Sequence, residues 1–251
     1  MRSRLSFLCI LISTAISAQF AGHGFVPNGG QWPEQVIAAA GMNGGEIYAH
    51  NSGWSYQLYR EGDFAEYHHY SHHRDGEIPK LHGHVLQVDL IGATLLKDNG
   101  NWESALPGTI SYIQNESRAA ALRAFEIFQL KNVYEGVDIV WESREEGVKY
   151  SFLLQEAQNV SKIKMLWKGQ DSLYVDEQGS LIIKTSAGIL KEEAPHVWED
   201  RPGGKVDIET DFVVKGDTVS FRLKADAEIE FPLTIDPNVI FSSYSGATSD
   251  N

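Results

Sequence analysis

Residues 137–154 read VDIVWESREEGVKYSFLL. Two runs of residues with high β-propensity, 137–143 and 148–154, flank the polar segment REEG at 144–147. Short apolar runs joined by a glycine-bearing turn are typical of an antiparallel hairpin. This stretch therefore predicts paired β-strands in the second half of the chain.

The same pattern of short apolar runs and polar turns recurs along most of the chain. Three further strand pairs are predicted: 46–50 with 54–60, 172–175 with 180–185, and 206–214 with 218–223. Repeated hairpins at this spacing favour an all-β fold built from antiparallel, β-sandwich-like lobes with little helix.

Two segments depart from this hairpin pattern. Residues 84–91 alternate apolar and polar side chains, which predicts a strand at a sheet edge or in a surface layer. Residues 117–128 contain the alanine-rich run AAAL, so a short helix or a loop is predicted there.

A polar, histidine-rich stretch interrupts the β pattern over residues 61–83. We predict an N-terminal β lobe over 19–115, with this stretch as a loop, and a C-terminal β lobe over 116–237. The two lobes are expected to pack together and share an interface.

The first 18 residues have the pattern of a secretory signal peptide. Arg2 and Arg4 give a positive start, an apolar run follows over 5–16, and small residues predict cleavage after Ala18. The run is too short for a membrane-spanning anchor, which needs about 20 apolar residues. Since Cys9 is the only cysteine, the exported protein is expected to have neither disulfides nor thiolate metal ligands.

Acidic residues outnumber basic ones. The chain has 34 Asp and Glu against 21 Lys and Arg, for a formal charge of −13. Such a surface repels phosphate backbones and anionic lipids unless basic residues cluster, and they do not cluster here. Nucleic acid is therefore not expected as a partner, and no transmembrane span is predicted.

Histidine is concentrated in one part of the chain. Neutral imidazole is a common ligand of zinc, and a spacing of four residues would place two of these side chains on one face of a helix. The surrounding glycines and aspartates instead favour a solvated loop with weak, opportunistic zinc binding and no required cofactor. A polar insertion without any ligand is the simpler alternative. The candidate ligands are His68, His69, His72, His73, His82 and His84.

No catalytic motif is recognised in the sequence. Asp138 and Glu142 share one face of a predicted strand, but their spacing of about 13 Å along it exceeds the roughly 5–9.5 Å typical of glycosidase pairs. The protein is therefore predicted not to be an enzyme, and a metal-dependent hydrolase is the disfavoured alternative.

Six tryptophans raise the possibility of a binding function. Tryptophan on β-strands usually fills the core, but exposed rings can stack on sugars. Trp102 follows the turn at 98–101 and is predicted to be the most exposed of them. A carbohydrate- or surface-binding module, with a glycan or protein of the cell surface as its ligand, is therefore an alternative function.

The segment FVPNGGQWPEQV at 25–36 resembles the opening of a family of large secreted bacterial proteins. Their N-terminal β-rich domain, of unknown function, precedes SBBP-type β-propeller repeats. The likeness continues through residues 84–93, 132–140, 182–188 and 232–237.

This resemblance implies a location and a role. Relatives carry C-terminal sorting domains associated with type IX secretion and gliding motility, so the protein is expected to be secreted or held on the outer surface of a Gram-negative bacterium. Residues 238–251 would begin a following repeat region, and the following repeats would be the partner. A β domain that covers the open edge of a repeat array serves as a non-catalytic cap, with adhesion or gliding as the wider process.

Overall fold

The computed structural model describes residues 24–60, 62–63, 66, 80–111, 113–114, 117–118, 121–144, 147–224, 229 and 232–243. Short 3₁₀ helices lie at Lys97–Asn99 and Ala157–Lys162. In chain order the strands are β1 (Val26–Pro27), β2 (Val36–Met42), β3 (Gly45–His50), β4 (Gly53–Tyr59), β5 (Gly83–Leu90), β6 (Gly100–Ala105), β7 (Ile113–Gln114), β8 (Ser117–Arg118), β9 (Phe125–Tyr134), β10 (Val137–Arg144), β11 (Gly147–Leu154), β12 (Met165–Lys168), β13 (Ser172–Val175), β14 (Leu181–Lys184), β15 (Gly188–Glu192), β16 (His196–Arg201), β17 (Gly204–Asp207), β18 (Thr210–Lys215), β19 (Thr218–Leu223), β20 (Leu233–Asp236) and β21 (Val239–Ser243).

These strands form antiparallel sheets. Within the described ranges the first sheet has the order β1-β2-β3-β4-β5-β12-β19-β18, and the second has the order β17-β16-β20-β11-β10-β9-β6. A third, smaller sheet has the order β13-β14-β15-β21, while β7 and β8 form a separate two-stranded ribbon. The predicted all-β fold is confirmed.

The hairpin at 137–154 forms as predicted. β10 and β11 pair without interruption from Val137 opposite Leu154 to Arg144 opposite Gly147. The short helix or loop predicted over 117–128 is wrong at its described ends, where strands β8 and β9 lie, whereas residues 121–124 lie between these strands. The alternation that buries Phe128 and Leu130 outweighs the helix propensity of the alanines before it.

Strand β5 also differs from its prediction. It lies inside the first sheet, between β4 and β12, and not at an edge. Leu86 and Val88 point into the core, whereas Val85 on the opposite face is 59% exposed. The sequence pattern predicted this exposed face correctly but carried no information about the neighbouring strand.

Both large sheets combine strands from either side of residue 115. β5 pairs with β12 in the first sheet, and β6 pairs with β9 in the second. One cluster of buried side chains includes Trp54, Trp141 and Leu190, which come from the three larger sheets. The predicted boundary near residue 115 therefore does not separate the sheets or divide the core.

A row of aromatic rings crosses the core. Trp102, Phe128, Trp141 and Tyr150 are successive neighbours across β6, β9, β10 and β11. Ring centroids are 4.3 Å apart between Trp102 and Phe128, and 5.3 Å apart between Phe128 and Trp141. Trp54 of the first sheet reaches this row and lies 4.8 Å from Tyr150. Each such aromatic pair contributes about 0.5–1.5 kcal/mol beyond the burial of its area.

Candidate functional site

Several predicted site residues lie outside the described residues. They include the cleavage position Ala18 and four of the predicted zinc ligands: His68, His69, His72 and His73. The predicted start of a repeat region is described only as far as Ser243. His82, His84 and Trp102 are described, and each has defined neighbours in the fold.

His82 is tied to a buried carboxylate. Its backbone N–H donates to Asp63 Oδ2 at 2.6 Å, and its ring Nδ1 lies 2.9 Å from the same oxygen. Asp63 is only 7% exposed. This pair fastens the start of β5 to the segment after β4, which is a structural role.

His84 meets a serine from a distant part of the chain. Its Nδ1 lies 2.9 Å from Ser186 Oγ, and its Nε2 lies 2.7 Å from the carbonyl oxygen of Gly169. A carbonyl oxygen can only accept, so Nε2 carries a hydrogen. In the neutral ring Nδ1 is then the acceptor, and the Ser186 hydroxyl donates to it.

The same contacts bear on the predicted metal site. Both ring nitrogens of His84 and one of His82 already have partners within hydrogen-bond distance. Across the described ranges, no group of three or more His, Cys, Asp or Glu side chains is placed to hold a metal ion. A zinc ion at His84 would have to replace the hydrogen bond from Ser186 or the one to Gly169.

Ser186 lies at the tip of the tight turn between β14 and β15. Thr185 Oγ1 accepts hydrogen bonds from the backbone N–H groups of Ala187 and Gly188, at 3.2 and 3.0 Å. The Thr185 hydroxyl in turn donates to the Gly188 carbonyl at 2.8 Å. The Thr185 side chain thus fixes the turn through its hydrogen bonds. The exposed Ser186 side chain takes no part in these bonds and contacts His84.

Trp102 is not the exposed ring that its sequence position suggested. It is only partly exposed and packs against the core, where its ring stacks on Phe128 and contacts Phe125 at 5.4 Å. Trp102 lies on the inner face of β6, directly opposite Phe128 in β9.

The two carboxylates considered as a hydrolase pair have separate structural partners. Asp138 Oδ1 accepts from the backbone N–H of Asn132 at 2.7 Å, and its Oδ2 accepts from Gln129 Nε2 at 2.9 Å. Glu142 instead pairs with Arg144 at 2.6 Å. Neither arrangement resembles an acid–base pair.

A buried acid in the core was not predicted from the sequence. Glu192, in β15, is 0% exposed and accepts a hydrogen bond from the Tyr150 hydroxyl at 2.9 Å. Burial raises the pKa of Glu192 to about 8, although the Tyr150 hydrogen bond works in the opposite direction. The sequence did carry one signal that Glu192 is buried. It lies two residues after the apolar Leu190, so the two side chains share one face of the strand.

The opening motif forms a turn with buried polar side chains. The Asn28 side-chain amide donates to the carbonyl oxygens of Trp32, Pro33 and Val36, and its Oδ1 accepts from the backbone N–H of Gly30. Gln31 Nε2 donates to the Pro27 carbonyl. These polar residues satisfy the backbone of the turn itself, which explains their presence without any ligand.

A family described as a domain of unknown function, DUF7948, matches residues 25–238. The chain belongs to the DUF7948 family. No curated protein and no solved structure shows significant similarity to it. The DUF7948 match confirms a domain of unknown function over residues 25–238, whereas it carries no information on the repeats and sorting domains of the predicted relatives.

The DUF7948 match ends at residue 238, directly before β21 begins at Val239. The matched strand β15 nevertheless pairs with all of β21, from Gly188 opposite Ser243 to Glu192 opposite Val239. The third sheet of this DUF7948 domain therefore includes a strand from outside the matched region.

Among the described residues, no helix is long and apolar enough to cross a membrane.

Proposed function

We propose that this domain is a non-catalytic structural unit of an exported protein, which fixes the polypeptide on its C-terminal side in a defined position. The observation that carries the proposal is the pairing of β21 with β15 along its whole length. Because β21 lies just beyond the family match, the domain holds the first residues after that match as part of its own sheet.

Side-chain packing anchors the same strand. Val239 is buried, and Phe241 packs against the main core and against Gly44 in the turn between β2 and β3. Ile240 points to the other side and is 44% exposed. The strand is therefore held by its inner face, while its outer face is free to meet a neighbouring domain.

The wider setting of the proposal comes from the sequence. The signal-peptide pattern supports export, and the resemblance at 25–36 supports a surface or secreted protein with β-propeller-type repeats after this domain. In the described part of the chain, β21 pairs on one side only and ends the third sheet. Such an edge can accept a further strand, which suits a cap on a repeat array.

The proposal is tested by attaching a small folded reporter protein directly after Ser243. Fluorescence anisotropy decay or NMR relaxation then measures whether the reporter rotates with the domain. We expect joint rotation in the parent protein and independent rotation after Phe241→Ser, which removes the inner anchor of β21.

Ile240→Ser is the matched control, because it changes the neighbouring residue on the outer face and should leave joint rotation intact. Independent rotation of the reporter in the parent protein would refute the proposal. A glycan array addresses the carbohydrate-binding alternative, for which binding would have to be lost in Trp102→Ala.

A further inference from the structure

His84 and Ser186 come together from positions 102 residues apart in the sequence. Strand β5 supplies the histidine, and the turn after β14 supplies the serine. We propose that Ser186 is an acyl-acceptor site whose hydroxyl proton is taken by His84. This inference goes beyond the proposed structural role and does not depend on it.

The tautomer of His84 gives the pair its direction. Donation from Nε2 to the Gly169 carbonyl leaves the Nδ1 lone pair facing the Ser186 hydroxyl at 2.9 Å. A nucleophile, a base within hydrogen-bond distance and a third group that orients the base are the three parts of an activated serine. Ser186, His84 and the Gly169 carbonyl provide these parts in that order.

A second serine–histidine contact, between Ser52 and His50, differs from the Ser186–His84 pair in the direction of its hydroxyl. Ser52 Oγ lies 3.2 Å from His50 Nδ1, but the Ser52 hydroxyl donates to Asp89 Oδ1 at 2.9 Å. Its single hydrogen is therefore directed to a carboxylate, so His50 cannot receive it. Ser52 therefore lies beside a histidine that does not activate it. Its reactivity is the reference against which the reactivity of Ser186 can be compared.

The covalent step is a simple acyl or phosphonyl transfer. Ser186 Oγ forms the bond to the electrophilic carbon or phosphorus, the bond to the leaving group breaks, and the hydroxyl proton passes to His84 Nδ1. The proton then leaves with the departing group or to water. No oxidant or other co-reactant is needed.

The turn also limits what the site can do. The backbone N–H groups of Ala187 and Gly188, which could have stabilised an oxyanion, both donate to Thr185 Oγ1. Stabilisation of a developing oxyanion is commonly the largest single contribution to rapid acyl transfer. We therefore expect Ser186 to be acylated once by activated reagents, with no rapid turnover.

The test treats the folded protein with a tagged fluorophosphonate and identifies the labelled serines by peptide mass spectrometry. We expect labelling of Ser186 at least tenfold faster than that of Ser52 or of Ser161, which is exposed and donates to the Gln158 carbonyl. Ser186→Ala should abolish the signal at that peptide.

His84→Gln isolates the base, because glutamine retains hydrogen-bonding capacity but does not take up a proton at neutral pH. It should slow the labelling of Ser186 at least tenfold, whereas His50→Gln should have no effect on it. Circular dichroism and the unfolding midpoint check that each variant is folded. Ser186 labelled no faster than Ser161, or a rate unchanged in folded His84→Gln, would overturn the proposal.

Discussion

The Asp138 carboxylate accepts a hydrogen bond from the backbone N–H of Asn132, which has a left-handed φ of 53°. The register between β9 and β10 shifts at this point, between Val137 and Ile139. The carboxylate thus holds the irregular backbone of β9 against its neighbour, because it satisfies an N–H that the ladder leaves free.

Asp138→Ala is therefore expected to lower the free energy of unfolding by about 1–1.5 kcal/mol. Glu142→Ala, on the same strand, removes only the surface pair with Arg144 and should cost less than about 0.5 kcal/mol. Urea unfolding of both variants measures the difference. Equal losses would show that the contacts of Asp138 with Asn132 and Gln129 have no special weight.

The buried acid Glu192 predicts a pH dependence of stability. Its pKa rises from 4.5 to about 8 on folding, so between these values the folded protein keeps a proton that the unfolded chain releases. The contribution of Glu192 to stability is then fully present below about pH 4.5 and is lost as the pH rises to about 8, by up to about 1.4 kcal/mol per pH unit.

Glu192→Gln should remove this contribution to the slope and make the protein more stable than the parent at pH 8, since the amide oxygen still accepts from Tyr150. Glu193→Gln is the matched control, because Glu193 is exposed and should leave the slope in place. Unfolding midpoints across pH 4.5–8 provide the measurement. The same slope in Glu192→Gln and the parent would contradict the assignment.

Ser104 has a left-handed φ of 55° near the end of β6. Because this conformation strains a residue with a Cβ, Ser104→Gly should raise the free energy of unfolding by about 0.5–1 kcal/mol despite the flexibility of glycine in the unfolded chain. Asn132→Gly should raise the free energy of unfolding by less, since asparagine tolerates the left-handed conformation better than serine does. Denaturant unfolding of the two variants measures both changes. A loss of stability in Ser104→Gly would contradict the proposal that the backbone at Ser104 is strained.

Gly44 is constrained twice, by a φ of +74° and by the ring of Phe241. A Cβ at Gly44 would lie 2.5 Å from Phe241 Cε1, whereas at Gly108, with φ +87°, it would meet nothing within 4 Å. Gly44→Ala should therefore destabilise the protein by at least about 1 kcal/mol more than Gly108→Ala. Similar losses would mean that Phe241 moves aside freely.

The sequence predicted strands well where their partners are neighbours in the chain. The hairpin at 137–154 needs only a local turn and two β-prone runs, and these are visible in the residues. The pairing of β5 with β12 depends on strands about 80 residues apart, and the alternation in β5 shows its faces but not its neighbour.

The candidate site was harder to predict for the same reason. His84 drew attention as a metal ligand because histidines cluster before it, yet its partners are Ser186 and Gly169, distant in sequence. Glu192 was overlooked because acidic residues are seldom buried without an opposite charge. Trp102 was misjudged because a preceding turn says nothing about which face of the strand its ring takes.

The way β21 packs on the domain has a practical consequence for work with isolated domains. A recombinant fragment cut at residue 238, where the family match stops, would lose the buried Val239 and the Phe241 ring that packs against the main core. The apolar surface beneath these side chains would then face water, and exposed apolar patches promote aggregation. Fragments that extend to Ser243 or beyond should stay monodisperse where the shorter one precipitates.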